Sequence, residues 1–184
     1  MNRKDLFACP FYFDKIELDP DKVNDAIKNT TCLHAMSVDE NILETNFKFL
    51  YDPIDKIVSN VMFELGFGKY NIFSSWMTKT AIGYRHGLDH MHCNSFYSGI
   101  LYLTNNASPI LFRHPMPWRW SSGLDDKNDG MVKSNQFVMS PKKGDIVLFP
   151  SHVHHLIMPH KDPLVRYSIA FNVHPTGQYG ARDS

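Results

Sequence analysis

Three cysteines in 184 residues, Cys9, Cys32 and Cys93, are too few and too irregularly spaced for a disulfide framework. None stands in the C-x-x-C pair of a zinc ribbon or redox motif. They point to a reducing compartment, and the cytoplasm is the expected setting. An excess of charge is lacking too: 19 basic and 19 acidic side chains cancel, with no basic run or stripe, which makes nucleic acid a poor partner. No segment approaches a membrane-spanning length of apolar residues, and no apolar run follows the charges of Met1 to Leu6. The expectation is a soluble, unexported chain without a membrane partner. At this length a single domain over 1–184 can bury a real core without staples.

What is there begins with a mixed first third. Phe11 to Leu18 alternates apolar and polar side chains like a half-buried strand. Asp19-Pro20 then opens a short helix, aspartate at the N-cap and proline at the first helical position. The same grammar recurs at Asp52-Pro53, followed by Ile54, Ile57, Val58, Val61, Met62 and Leu65 at helical spacing up to Gly66. From about Asn71 onward the chain breaks into short β-like runs: Ile72 to Ile82, Ser95 to Leu103, Pro109 to Phe112, Gln136 to Met139, Asp145 to Phe149, His155 to Met158 and Leu164 to Asn172. Turn residues separate them at Asn105-Asn106, Pro141 to Gly144 and His160 to Pro163. This pattern predicts a mainly β fold, a sandwich or barrel with flanking helices, in which 1–70 supports a core at 71–176. The interval 113–135, with Trp118, Trp120 and a polar tract from Ser121 to Asp129, reads as a lid or substrate loop, or else as a surface insertion.

Chemistry concentrates at Asp89-His90-Met91-His92-Cys93-Asn94-Ser95. If Asp89 to Leu103 is one extended strand, His90, His92, Asn94, Ser98 and Tyr102 share a face, and both imidazoles can converge on a metal ion. Asp89 then points the other way. A third ligand is expected from His152, His154 and His155. A hairpin closed by Pro159 to Asp162 would set residue 155 opposite 166, with Cβ atoms roughly 5 Å apart, and that register selects His155. Arg166 offers no lone pair to a metal, but its planar fork suits a carboxylate, and Ser168 lies two residues along the same face. His34, His86, His114, His160 and His174 read as surface or loop residues.

These segments resemble the 2-oxoglutarate and Fe(II)-dependent oxygenases common in phage and bacterial genomes, distant relatives of prolyl hydroxylases. The resemblance runs through Trp76, then His90 to Ser95 leading to Ser98-Gly99-Ile100-Leu101-Tyr102, then Gly144 to Pro150, His155 to Pro159, and Arg166-Tyr167-Ser168-Ile169 up to Phe171-Asn172. It implies a double-stranded β-helix, the cupin-like jelly roll, with one oxygenase domain. It further implies Fe(II) as metal, 2-oxoglutarate and O2 as cosubstrates, and hydroxylation of a substrate with release of succinate and CO2. By the same resemblance His90 and His155 are iron ligands, and His92 stands where prolyl hydroxylases keep an aspartate. Arg166 and Ser168 match the pair that holds the distal carboxylate of 2-oxoglutarate. Tyr102 and Asn94 are further candidates for cosubstrate contacts, and Tyr84, Trp118 and Trp120 for substrate contacts.

The missing carboxylate leaves two competing readings: a three-histidine cupin-like dioxygenase that does without 2-oxoglutarate, and a metal-binding module whose histidines hold structural zinc. The residues that would choose between small-molecule and protein-side-chain substrates lie in loops without a readable code.

Overall fold

In a computed structural model, residues 9–84, 88–106, 108–115 and 136–177 are described. The chain opens with strand β1 (Tyr12–Lys15) and helix α1 (Pro20–Asn29). As the sequence predicts, Asp19 caps the helix: its carboxylate accepts the N–H groups of Asp21 at 3.0 Å and Lys22 at 3.3 Å, satisfying donors that the first turn leaves free. Helix α2 (Tyr51–Glu64) begins earlier than Asp52-Pro53 suggests. A 3-10 turn at Lys48–Leu50 leads into it, so Asp52 lies in the first turn and is not the cap. Ile54, Val58, Val61 and Met62 form its buried stripe. Gly66, at φ +86, closes it in the left-handed conformation that glycine adopts without cost.

The remaining elements are strands. Two very short ones, β2 (Cys32–Leu33) and β3 (Met36–Ser37), form a hairpin absent from the sequence reading. There follow β4 (Tyr70–Thr80), β5 (Tyr97–Tyr102), β6 (Ile110–Arg113), β7 (Gln136–Met139), β8 (Asp145–Pro150), β9 (His155–Ile157) and β10 (Arg166–Pro175). A large sheet has the order β1-β8-β5-β10-β4-β3-β2, and a small one the order β7-β6-β9. Their antiparallel pairing across distant segments is the jelly roll expected from the strand pattern. The region 1–70 does more than support it, since β1 and the β2-β3 hairpin extend the large sheet at both edges.

Side-chain alternation divides the interior in two. Tyr97 and Leu101 of β5, Ile146 and Leu148 of β8, and Ile169, Phe171 and Val173 of β10 pack with the helices. The opposite faces supply Ile100, Tyr102, Val147 and Phe149, which meet Ile110, Phe112 and Ile157 of the small sheet. On β10 the face toward the small sheet carries Arg166, Ser168, Ala170 and Asn172, a largely polar row inside an apolar barrel.

Two expectations about local pairing fail. The extended run from Asp89 to Leu103 breaks before β5: Asn94 sits at φ +57 on a turn, so strand alternation does not carry through it. The hairpin of 155–158 with 163–166 does not form either. β9 pairs with β6, with His155 opposite Phe112, whereas β10 pairs with β4 and β5 in the other sheet. Among the described residues no helix is long and apolar enough to cross a membrane.

Candidate active site

His90 reaches the barrel through a single antiparallel bridge to His155, its N–H donating to the His155 carbonyl at 3.0 Å and its carbonyl accepting at 2.9 Å. The bridge adds a further rung to the small sheet, beyond β9. Two residues on, the backbone N–H of His92 donates to the Ser151 carbonyl at 2.9 Å. These anchors bring three imidazoles together, and the ligand nitrogens of His90, His92 and His155 all lie within 4.8 Å of one another. Ring centroids are 4.4 Å apart for His90 and His155, and 5.2 Å for His92 and His155. The register that singled out His155 is absent, yet His155 is the member of its cluster that joins the pair. His154 instead faces Asp89 at 3.5 Å, and His152 is exposed beside the Cys9 sulfur.

Protonation suits a metal. Burial pushes the His155 ring down to about 3 and the His92 ring to about 4, aided in both by the neighbouring His90, so both are neutral near pH 7. Nδ1 of His90 lies 2.8 Å from the Leu88 carbonyl and Nδ1 of His155 lies 3.1 Å from that of Val153. A carbonyl can only accept, so each Nδ1 carries a proton, and Nε2 is the nitrogen turned to ligation. Asp89, next in sequence to His90, is held by Arg113 and His154 and is not one of the clustered groups.

The cavity at this mouth is lined by the three histidines together with Trp76, Thr78, Arg166, Ser168 and others. Arg166 is 1% exposed. Its Nη1 donates to Thr80 Oγ1 at 3.3 Å and its Nη2 to Ser168 Oγ at 2.9 Å, and Ser168 Oγ lies 2.7 Å from Thr78 Oγ1. No carboxylate pairs with it among the described residues, and its Nε has no hydrogen-bond partner. The buried Tyr102 hydroxyl is likewise unpartnered, with its ring 5.6 Å from the guanidinium carbon. Burial raises the Tyr102 phenol far above its ordinary range, so it is a neutral donor. A buried cation without a counter-charge is costly, and an anion in this cavity would relieve that cost.

Other candidates fare differently. Asn94 is exposed on its turn and does not line the cavity, because the extended conformation that would have aimed it inward is broken there. Tyr84 is 72% exposed. Trp118 and Trp120 lie outside the described residues, as does all of 113–135 except Arg113, His114 and Pro115. His160 is no surface residue: it is buried, with Nδ1 2.8 Å from Ser108 Oγ and Nε2 2.7 Å from the Leu164 carbonyl. Sequence reasoning assigned no role to Thr78, Thr80, Ser98 or Asn172. Period two along β10 from Arg166 and Ser168 leads directly to Asn172.

A jelly roll with three clustered imidazoles and, in the same cavity, a buried guanidinium unpaired by any carboxylate among the described residues is the architecture of a mononuclear metal enzyme that takes an anionic partner. Residues 74–172 match the family described as "Putative 2OG-Fe(II) oxygenase", and the chain belongs to that family. It is an Fe(II)- and 2-oxoglutarate-dependent oxygenase, with O2 as second cosubstrate. No match is found among curated proteins. Solved structures share the fold. HygX from Streptomyces hygroscopicus, with nickel, 2-oxoglutarate and hygromycin B bound, superposes with a TM-score of 0.60 at 9% identity over 91% of this chain and 84% of that one. A prolyl-4-hydroxylase from Pseudomonas putida gives 0.52 at 15% identity over 92% and 94%. The viral collagen prolyl hydroxylase of Paramecium Bursaria Chlorella virus-1, in its 2-oxoglutarate complex, gives 0.55 at 13% over 90% and 97%.

Proposed function

We propose that His90, His92 and His155 hold the Fe(II), that Arg166 and Ser168 bind the distal carboxylate of 2-oxoglutarate, and that the enzyme hydroxylates a C–H bond of its substrate. The single observation that carries this reading is the buried Arg166, unpaired by any carboxylate among the described residues, in the same cavity as the three imidazoles. Bound Fe(II) supplies the activation of O2 that converts 2-oxoglutarate to succinate and CO2 and oxidises the substrate.

The protein's own part is positioning and exclusion of water. The neutral His92 and His155 rings offer lone pairs without a proton to displace. The Arg166 fork supplies charge-assisted donors aimed at a planar carboxylate, with the Ser168 hydroxyl beside it. The Arg166 Nε is left without a partner, and the guanidinium keeps N–H groups beyond the two given to Thr80 and Ser168. Trp76, Phe149 and Ile157 form apolar walls around the polar groups, which strengthens every electrostatic contact inside.

The substrate class follows less directly. HygX was solved with hygromycin B and the viral relative is a collagen prolyl hydroxylase, which supports a small molecule or a protein side chain as substrate here. Three free cysteines support a cytoplasmic setting. The assignment is tested by adding Fe(II) and 2-oxoglutarate to the protein without oxygen. A weak visible charge-transfer band that needs both components is the expected result. No band and no affinity for 2-oxoglutarate would favour the three-histidine dioxygenase reading, which the lack of a clustered carboxylate among the described residues otherwise recommends.

A further inference from the structure

The chain leaves His92 through a turn whose backbone few residues adopt. Asn94 sits at φ +57, in the left-handed region that is costly for most side chains and is tolerated best by glycine and asparagine. Its side chain is exposed and does not line the cavity. What this position contributes to the site is therefore its backbone.

One residue holds the chain on both sides of this turn. Two positions before Asn94, the His92 N–H donates to the Ser151 carbonyl at 2.9 Å. Two positions after it, the Phe96 carbonyl accepts the Ser151 N–H at 3.1 Å. Phe96 is tied a second time, its N–H donating to the Val173 carbonyl of β10 at 3.0 Å. Kept extended, the run 92–96 would place its ends roughly 13 Å apart, whereas here both ends bond the same residue. The run has to reverse, and it does so at Cys93 and Asn94. Ser151 follows directly on β8 and precedes His155 in the same loop, so one anchor references His92 to the segment that carries His155.

We infer that Asn94 is a positioning residue for the metal centre: its left-handed backbone, and not its amide, delivers the His92 ring. So delivered, that ring lies 5.2 Å from the His155 ring with 12° between planes, and 5.8 Å from Trp76 with 25°. A β-branched residue at 94 is a poor fit to the left-handed conformation. It would open the turn, at the expense of a Ser151 hydrogen bond or of the place of His92 in the cluster. The segment from His90 to Asn94 then comprises two ligands and the turn that seats the second. The inference rests on the reading of His92 as a ligand.

Co(II), bound anaerobically in place of iron, tests it through affinity and ligand-field spectrum, measured well below the melting temperature. His92→Ala examines the ligand assignment: unchanged affinity and spectrum would remove His92 from the metal and this inference with it. If His92→Ala weakens binding, Asn94→Val is expected to weaken it about 5- to 30-fold, the factor by which a left-handed backbone disfavours an ordinary side chain. Its spectrum should move toward that of His92→Ala, and the double variant should bind no worse than His92→Ala alone. Asn94→Gly, which keeps the backbone and discards the amide, is expected to bind Co(II), and then 2-oxoglutarate, within a few-fold of the parent. A turn that serves only the fold would give Asn94→Val a lower melting temperature with parent-like affinity and spectrum. A contact made by the amide would leave Asn94→Gly as weak as Asn94→Val. Either result overturns the inference and leaves the ligand assignment standing. Should Asn94→Val not fold, Asn94→Ala is compared with Asn94→Gly in the same way, and equal binding by the two would overturn it.

Discussion

Arg166 concentrates the tension in this molecule. A guanidinium cannot shed its proton, so burial with no carboxylate partner among the described residues leaves a standing cost that two neutral hydroxyls offset only in part. Replacement by methionine should therefore leave the ligand-free protein as stable as the parent or more so. The same change should weaken 2-oxoglutarate binding by about 100-fold or more, on the order of 3 kcal/mol. Thermal melting without ligand and calorimetric titration with 2-oxoglutarate check the two halves. Strong binding by Arg166→Met would dismiss the clamp.

The histidines give a second expectation at this scale. The rings of His155 and His92 fall to about 3 and about 4 in the fold, while the unfolded chain has them near 6.5. Between those values the unfolded state binds the extra protons, so stability is full above pH 6.5 and is lost as pH falls toward 4. For one proton the slope approaches about 1.4 kcal/mol per pH unit. Urea midpoints of metal-free protein at pH 7.5, 6 and 5 should fall, and His155→Leu should flatten the trend. An equal slope in the variant would show that other groups carry it. Residue identity alone made His90, His92, Arg166 and Ser168 legible. It could not give Arg166's isolation, because unpaired burial is a property of the surroundings.

At the scale of elements, Gly99 of β5 leaves the space that the ring of its β10 partner Phe171 fills. A Cβ there would stand 2.1 Å from the Phe171 ring, and Phe171 is fully buried in the core beneath the helices. Gly99→Ala forces either the ring or the strand aside, at a cost of about 1 to 3 kcal/mol. A lower urea midpoint should result, with weakened 2-oxoglutarate binding, since β10 carries Arg166 and Ser168. A neutral effect would mean that the strands can separate freely. Elements were read from the sequence largely where they occur, because period-two runs and turn residues are local signals. Their partners were not. His155 was chosen on a local hairpin with 163–166, whereas β9 pairs with β6 far up the chain, and β10 lies in the other sheet. His155 does cluster with His90 and His92, but not through the pairing that selected it. The same holds for the His90 and His92 pair, which two backbone anchors bring together without a continuous strand.

For the molecule as a whole, the proposed site straddles the two sheets. His90 and His155 belong to the small sheet by their mutual bridge, while Arg166 and Ser168 stand on β10 of the large one. A metal held by the first group and a dicarboxylate held by the second would join the sheets only when both are bound. Each ligand alone stabilises the fold by its own mass action, and a ligand that touches metal and guanidinium together adds a coupling free energy, typically about 1 to 3 kcal/mol. Melting temperatures with Mn(II), with 2-oxoglutarate, and with both should therefore rise by more than the sum of the separate shifts. Pyruvate, which has the keto acid end without the distal carboxylate, should give a smaller excess, and Arg166→Met should reduce 2-oxoglutarate to the pyruvate level. Amide exchange should slow in β9 and β10 together. Strictly additive shifts, or protection confined to one sheet, would mean that metal and diacid do not share the cavity, and the site would have to be divided between them.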